Sequence, residues 1–442
     1  MGESKPSMRK ALEVFSNRNY RVLWTSTLFS FTGMGMQQVA RSLLAWQLTE
    51  SYRAVGFVAL SFGLPMLLLA LVGGSLADRF EKRNLTLMTQ GSTAIVMLVT
   101  ALLITADLIT FRILFVVGLV QGTFFALGMP ARTPLMAEAV GPEKLMSAIA
   151  MSNAAMNFTR LFGPASVGVI LTVSGIGAVY YTQSALFVVS FLLMLLVPTG
   201  LGATRRAEVE AGPGSRIGIR PQGSMLHEIG LGLKYAWGHP RLRLLFTMMF
   251  VVTMVGMPHI MLLPGFVQED LGKSESAFGW LQAVSGVGAL VASLGVAAFT
   301  EFERKPLIQW ISGVTVGLGL LLLGFGSMAF GFPGAVVAVV VLGLAFTAFQ
   351  TLNNTMLMAE ADPEYYGRMM SIMMMSFSGM SLMAAPLGLL ADKIGPVNTF
   401  AGEGGVILVA MLVVVVTRRA YTFDRDEPTT FAERQADADD GR

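Results

Sequence analysis

Gly73-Gly74-Ser75-Leu76-Ala77-Asp78-Arg79-Phe80-Glu81-Lys82-Arg83 stands between two long apolar runs, Ala54 to Ala77 and Asn84 to Ala106, and neither run carries a charge. Each run is long enough to cross a bilayer as a helix, which takes roughly 20 apolar residues. A short charged segment between two such runs reads as a loop joining two membrane helices. The rest of the chain is read outward from this loop.

Of the 442 residues, 54% are hydrophobic and only 13% are charged, whereas soluble domains carry about 25% charged residues. The charges are bunched, leaving many uncharged runs of membrane-crossing length, and the ten-residue alternation of a membrane barrel is absent. The class is therefore a polytopic, all-α membrane protein with the lipid bilayer as its solvent. The chain has no cysteine, which removes disulfides, thiolate metal sites and cysteine nucleophiles. Met1 to Lys10 is polar and leads into a full-length first span without a small-residue cleavage site, so no signal peptide is expected. A pI near 9.1 would suggest nucleic acid in a soluble protein. Here membrane topology accounts for the bases, and no nucleic-acid partner is expected.

Breaking the apolar runs at Gly, Pro and charge clusters predicts twelve transmembrane helices. They lie near 21–46, 54–77, 84–106, 112–138, 145–174, 177–198, 240–267, 275–300, 306–329, 333–360, 367–392 and 396–418. Ser174-Gly175-Ile176-Gly177 and Gly331-Phe332-Pro333-Gly334 divide two uncharged stretches that are too long for one helix each. With the amino terminus inside, only Arg53, Arg112, Lys273 and Lys393 of the 31 Lys and Arg fall on the outer side, and Arg41 and Arg160 lie within spans. That asymmetry places both termini on the cytoplasmic side of the membrane. Between the sixth and seventh spans, Thr199 to Gln222 reads as a Gly-rich mobile linker. Leu226 to Trp237 reads as an amphipathic helix on the inner membrane face. The organisation is a bundle over 1–200, a cytoplasmic linker with its interfacial helix over 201–239, a second bundle over 240–421, and a disordered cytoplasmic tail over 422–442.

The two bundles are copies. At a single offset, Phe80-Glu81-Lys82-Arg83-x-Leu85 meets Phe302-Glu303-Arg304-Lys305-x-Leu307. At the same offset, Arg21-x-Leu23-Trp24-Thr25 meets Arg243-x-Leu245-Phe246-Thr247, and Leu135-Met136-Ala137-Glu138 meets Leu357-Met358-Ala359-Glu360. Six spans separate the copies, so both begin on the same side of the membrane: two parallel six-helix repeats.

The shape Gly74-x-x-x-Asp78-x-x-x-x-Arg83 resembles the loop between helices 2 and 3 of the major facilitator superfamily, with Glu81 and Lys82 where that family often has Gly and Arg. Pro130-Ala131-Arg132 and Asn157-x-x-Arg160-x-x-Gly163-Pro164 resemble the bacterial branch containing enterobactin exporters and macrolide efflux pumps. Gly163-Pro164 is also similar to a truncated span-5 antiporter signature. The resemblance implies two halves rocking about a central substrate site, with Asp78 meeting the positive end of span 11 to hold the cytoplasmic side closed.

Candidate site residues follow from polar groups inside spans. Arg160 lies roughly 22 Å along span 5 at 1.5 Å per residue, and an intramembrane Arg normally faces a polar cavity. Asn153 and Asn157 share its stripe; the other reading is an Arg bonded to carbonyls beside the Gly163-Pro164 break. Arg41 shares a face with Gln37 and Gln38, where snorkelling to the outer surface is the competing reading. His259 stands opposite Gln37 in the repeat and is a candidate proton carrier, or else a structural histidine beside Pro258. Gln350, Asn353 and Asn354 form a polar stripe on span 10, either lining the cavity or joining helices. The gating group is Gly74, Asp78, Arg79, Lys82, Arg83, Arg132 and Glu138, with its bases equally readable as positive-inside anchors. No Asp or Glu lies in the middle of a span; Glu403 lies in the outer part of span 12.

No phosphate-cradling loop, metal-ligand spacing or nucleophile arrangement is present, so neither an enzyme nor a cofactor or metal is expected. The expected function is a monomeric secondary transporter exporting a small amphipathic organic substrate, of drug or siderophore class, on a proton gradient. Two arginines without a mid-span carboxylate imply neutral, zwitterionic or anionic substrates. The alternatives are an uncoupled lysophospholipid or organic-anion transporter and a non-transporting receptor of the same fold.

Overall fold

The computed structural model describes residues 13–141, 144–199, 225–298, 304–362 and 365–417. The side chains of 70–79, and those of Asn153, Asn157 and Arg160, lie outside that description, as do the 200–224 linker and the tail. The expectations for Gly74, Asp78, Arg79 and the Asn153–Arg160 stripe therefore concern residues outside it.

The elements of the described residues are all helices, joined by short turns. In chain order they form α1 (Arg18–Thr49), α2 (Tyr52–Arg79), α3 (Lys82–Thr105), α4 (Phe111–Val140), α5 (Leu145–Val173) and α6 (Ile176–Leu195). Then come α7 (Met225–Gly238), α8 (Pro240–Val251), a π turn (Val252–Gly256), α9 (His259–Gly265) and a second π turn (Phe266–Asp270). The chain ends with α10 (Glu275–Ala298), α11 (Lys305–Leu321), a third π turn (Leu322–Gly326), α12 (Ser327–Phe330), α13 (Phe332–Glu360), α14 (Tyr366–Ile394) and α15 (Pro396–Thr417). Among these residues, nine helices are long and apolar enough to cross a membrane. Large apolar side chains such as Ile95, Val173, Leu294 and Val416 remain exposed, as they would against lipid tails.

Local chemistry explains the ends. The Asn17 side chain accepts from the Asn19 and Tyr20 amides, capping α1, while its own amide donates to the Ala139 carbonyl at 2.7 Å. Gly331 separates α12 from α13 at φ +65°, a left-handed conformation that glycine adopts without a Cβ penalty. The expected break at Gly163-Pro164 does not interrupt the helix, because α5 runs unbroken through Pro164. Instead Gly163 lets α5 approach α1: a Cβ there would stand 3.0 Å from the Gly35 backbone. A stretch expected to bend a helix therefore serves to pack two helices closely.

The chain divides into two units, one comprising Met1–Glu50, Val58–Ile219 and Glu275–Ala283, the other Ser51–Phe57, Arg220–Ser274 and Val284–Arg442. In the first, α1 packs on α5 and α6, and α3 on α4 and α6. Ser26 and Ser190 each donate to the other's backbone carbonyl, at 2.9 and 2.7 Å, which lets α1 and α6 come close. In the second, α11 packs on α13 and α15, and α14 on the π turn Val252–Gly256. Gln309 on α11 donates to Asn353 Oδ1 on α13 at 2.6 Å, and Trp310 to the Met411 carbonyl at 2.9 Å.

Helix α7 forms where the amphipathic helix is expected. Its Ala236 is fully buried in a core cluster with Leu245, Phe246, Met369 and Ile372. Tyr235 stacks on Tyr365 at 3.8 Å and accepts from the Asp362 amide. Burial pushes the Tyr235 phenol up to about 12, so it stays neutral at ordinary pH. The helix's apolar side packs on protein, while Lys234 and Trp237 are exposed.

Candidate functional site: a polar cavity in the first unit

Ser30 and Gln37 on α1, Thr89 and Gln90 on α3, and Gln121 and Arg132 on α4 converge on one internal cavity. Its volume is about 40 Å³, room for about three waters at ~10–15 Å³ each. No carboxylate lines it. Apolar rings complete the wall: Phe62 and Phe125 pack at 5.5 Å between centroids.

The cationic side is held by aromatic faces. The Arg132 guanidinium lies 4.9 Å over the Phe31 ring, and the Arg41 guanidinium 4.3 Å over Phe62. Arg41 donates to Gln121 Oε1 at 3.4 Å. Gln121 and Gln37 both turn their amide nitrogens toward the Met97 sulfur, at 3.5 and 3.7 Å. Two polar atoms are left over: among the described residues, Arg132 Nη1 and Gln90 Oε1 are buried without a hydrogen-bond partner. A buried donor or acceptor left without a partner costs roughly 1–3 kcal/mol. One orphaned cationic donor and one orphaned acceptor on the same cavity make it a place for a polar guest.

The candidate residues divide between the units. Gln37 and Arg41 are buried beside or in the cavity, and Gln38 is half-buried on the same helix. Arg132, grouped in the sequence with the loop residues, is set in the cavity wall, because α4 continues to Val140. The other described loop residues make structural bonds. Lys82 meets Glu138 at 2.9 Å. Arg83 donates to the Val197 and Leu195 carbonyls at 2.6 and 3.1 Å, satisfying the open end of α6 as a basic side chain at a helix C-terminus does. In the second unit, His259 is buried with Nδ1 at 2.5 Å from the Gly256 carbonyl, and its ring faces Phe346. Asn353 is fully buried, held by Gln309, while Gln350 and Asn354 are half-buried.

Gln90 and Gln121 were not singled out from the sequence. A signal existed: Thr86, Thr89, Gln90 and Thr93 follow helical spacing on one span, a polar stripe inside an apolar helix.

The transmembrane secretion effector family model matches residues 10–436. The chain is 27% identical over 404 residues to a multidrug efflux pump, Tap, of Mycobacterium tuberculosis, covering 89% of this chain and 90% of that one. It is 25% identical over 418 residues to the enterobactin exporter EntS of Shigella flexneri, covering 93% and 95%. Among solved structures, a POT family transporter in complex with 5-aminolevulinic acid superposes with TM-score 0.70 at 13% identity, over 92% of this chain and 97% of that one. The nucleoside transporter NupG superposes with TM-score 0.65 at 15% identity, over 91% and 98%.

Proposed function

The chain belongs to the transmembrane secretion effector family, and from that premise we propose that it exports small amphipathic organic molecules by proton-coupled alternating access. That it is a membrane transporter and not an enzyme follows from the family and from its relatives. The substrate class is the proposal, and it rests on the chemistry of the cavity wall: Arg132 with an orphaned guanidinium nitrogen, Arg41 behind the lining Phe62 and Gln121, and no lining carboxylate. Such a wall favours a neutral, zwitterionic or anionic group with an apolar body, since a cation would meet like charge without compensation. The two named relatives export drugs and a siderophore, in keeping with this chemistry.

The proposed architecture is twelve spans in two six-helix halves, with both termini cytoplasmic and Asp78 governing the inner gate. In this proposal Arg160, with Asn153 and Asn157, also serves substrate binding, an assignment that rests on the sequence.

The test uses purified protein in liposomes with an internal pH dye and imposed gradients of a cationic dye, a macrolide and a catecholate siderophore. The expected result is substrate-evoked proton movement for uncharged or anionic substrates, weakened in Arg132→Ala and in Arg160→Ala. Tight binding of the permanently cationic dye that either substitution abolishes would overturn the substrate assignment.

A further inference from the structure

The cavity in the first unit is far smaller than an organic cargo. Pockets for drug-sized ligands run to roughly 300–1,000 Å³, and this one offers about 40 Å³. It has room for one small group or a free ion. Which of these it takes follows from the groups that line it.

Charge decides the occupant. Arg132 lines the cavity, and among the described residues its Nη1 is buried without a hydrogen-bond partner. Arginine stays protonated in proteins, and none of the described ion pairs includes Arg132 or Arg41. No carboxylate lines the wall. The Phe31 ring beneath Arg132 offers a π face, which compensates a buried cation less than a counter-ion does. A water could accept from Nη1 and donate to Gln90 Oε1, the orphaned acceptor on the same wall. It would leave the buried charge uncompensated. A small anion accepts the hydrogen bond and supplies the charge.

Further donors suit such an ion. Gln121 Oε1 accepts from Arg41 at 3.4 Å, which fixes the end of that carboxamide that donates. Its nitrogen, like that of Gln37, is set against the Met97 sulfur, at 3.5 and 3.7 Å. A thioether is a weak acceptor, and each carboxamide nitrogen carries a second N–H. Ser30, Thr89 and Thr93, by contrast, already donate to backbone carbonyls of their own helices. The hydrogens left to a guest come from one guanidinium and two carboxamides.

We propose that this cavity binds one small inorganic monovalent anion of the size of chloride, with Arg132 as its counter-charge and Gln37 and Gln121 as further donors. Chloride is little larger than water, so the ion and one or two waters fill the space. One of those waters donates both to the ion and to Gln90 Oε1, which satisfies the remaining acceptor. The ion is a second ligand for the wall from which the substrate class was drawn, and its binding does not rest on the export reading. An exported molecule with an anionic group would compete with it.

The test uses the full chain purified in detergent, with gluconate as the bulk anion at fixed ionic strength and chloride itself as the probe. Equilibrium dialysis with radioactive chloride should show saturable binding of one ion per chain, displaced by bromide. Thermal unfolding should shift upward as chloride replaces gluconate, since a ligand of the native state stabilises it. Arg132→Gln should lose both responses. Gln37→Met keeps the arginine and removes one donor to a charged partner, so it should weaken chloride affinity about tenfold. It carries the test if Arg132→Gln does not unfold cooperatively. Chloride binding unchanged in either variant would overturn the proposal. So would wild-type midpoints that follow ionic strength alone, the result expected if water fills the cavity. Wild type that binds no chloride, yet binds the catecholate siderophore in an Arg132-dependent way, would overturn the ion site and leave the substrate reading standing. Chloride binding that Arg132→Gln abolishes, in a protein that moves none of the substrate panel, would do the reverse.

Discussion

At the scale of single residues, Lys82 shows how a charge is carried into apolar surroundings with a partner to compensate it. Lys82 has a side chain 6% exposed with Glu138 at 2.9 Å, and Glu138 is itself 32% exposed. Breaking a fully buried pair costs about 3–5 kcal/mol. With one partner partly in water, Glu138→Gln should cost less, about 1–2 kcal/mol. Thermal unfolding in detergent would measure this, and combining it with Lys82→Met should recover part of the loss in a double-mutant cycle. A second prediction concerns Arg132. A planar guanidinium over a ring is not replaced by an ammonium, and a cation–π contact contributes roughly 0.5–2 kcal/mol. Arg132→Lys should therefore weaken substrate affinity by about twofold to thirtyfold, read as Kd, with Arg132→Ala no less impaired. Equal affinity in wild type and Arg132→Lys would remove Arg132 from binding. The sequence marked Arg41 by its place inside a span and grouped Arg132 with the loop residues at the end of span 4. It did not reveal that Phe62 and Phe31 would lie beneath them, because a ring-over-cation contact joins helices distant in the chain and leaves no periodic trace.

At the scale of elements, helix ends were legible and helix interiors less so. Expected and observed ends agree within a few residues, since Gly, Pro and charged clusters punctuate a membrane chain sharply. The π turns at Val252–Gly256, Phe266–Asp270 and Leu322–Gly326 were not foreseen. A π turn needs only one extra residue, and Gly256, Gly324 and Gly326 look no different from helix-packing glycines in sequence. Close approach is the element-scale theme, and it yields a paired prediction. Gly163→Val should cost about 1–3 kcal/mol of stability through overpacking against Gly35. Gly405→Ala, with nothing within 4 Å of the added methyl, should be neutral or stabilise by up to about 1 kcal/mol. A further element-scale bond crosses 340 residues of chain. Asp392 at the end of α14 accepts from the Tyr52 and Arg53 amides at 2.8 and 3.2 Å and from the Ser51 hydroxyl at 2.8 Å, capping α2 from outside its own sequence. Asp392→Ala should cost about 0.5–2 kcal/mol, as loss of an N-cap does, again read in thermal unfolding.

At the scale of the whole molecule, alternating access requires that one position be reached from opposite faces of the membrane in turn. The chain has no cysteine, so a single introduced thiol reports without background. Met34→Cys, on the cavity wall, should label with a membrane-impermeant maleimide at a rate that changes on adding substrate. A constant rate across the substrate panel would favour a non-transporting receptor over a pump. The three π turns bear on the same motion. Each holds one residue more than an α-helix would place in that length, and an α-helix advances about 100° per residue. Expelling the extra residue from Val252–Gly256 would swing everything beyond it through nearly a third of a circle, carrying His259 away from the Phe346 ring it faces. The turn is thus a rotational clutch: engaged, it holds the imidazole against the Phe346 ring; disengaged, it turns a different face of the segment to that ring.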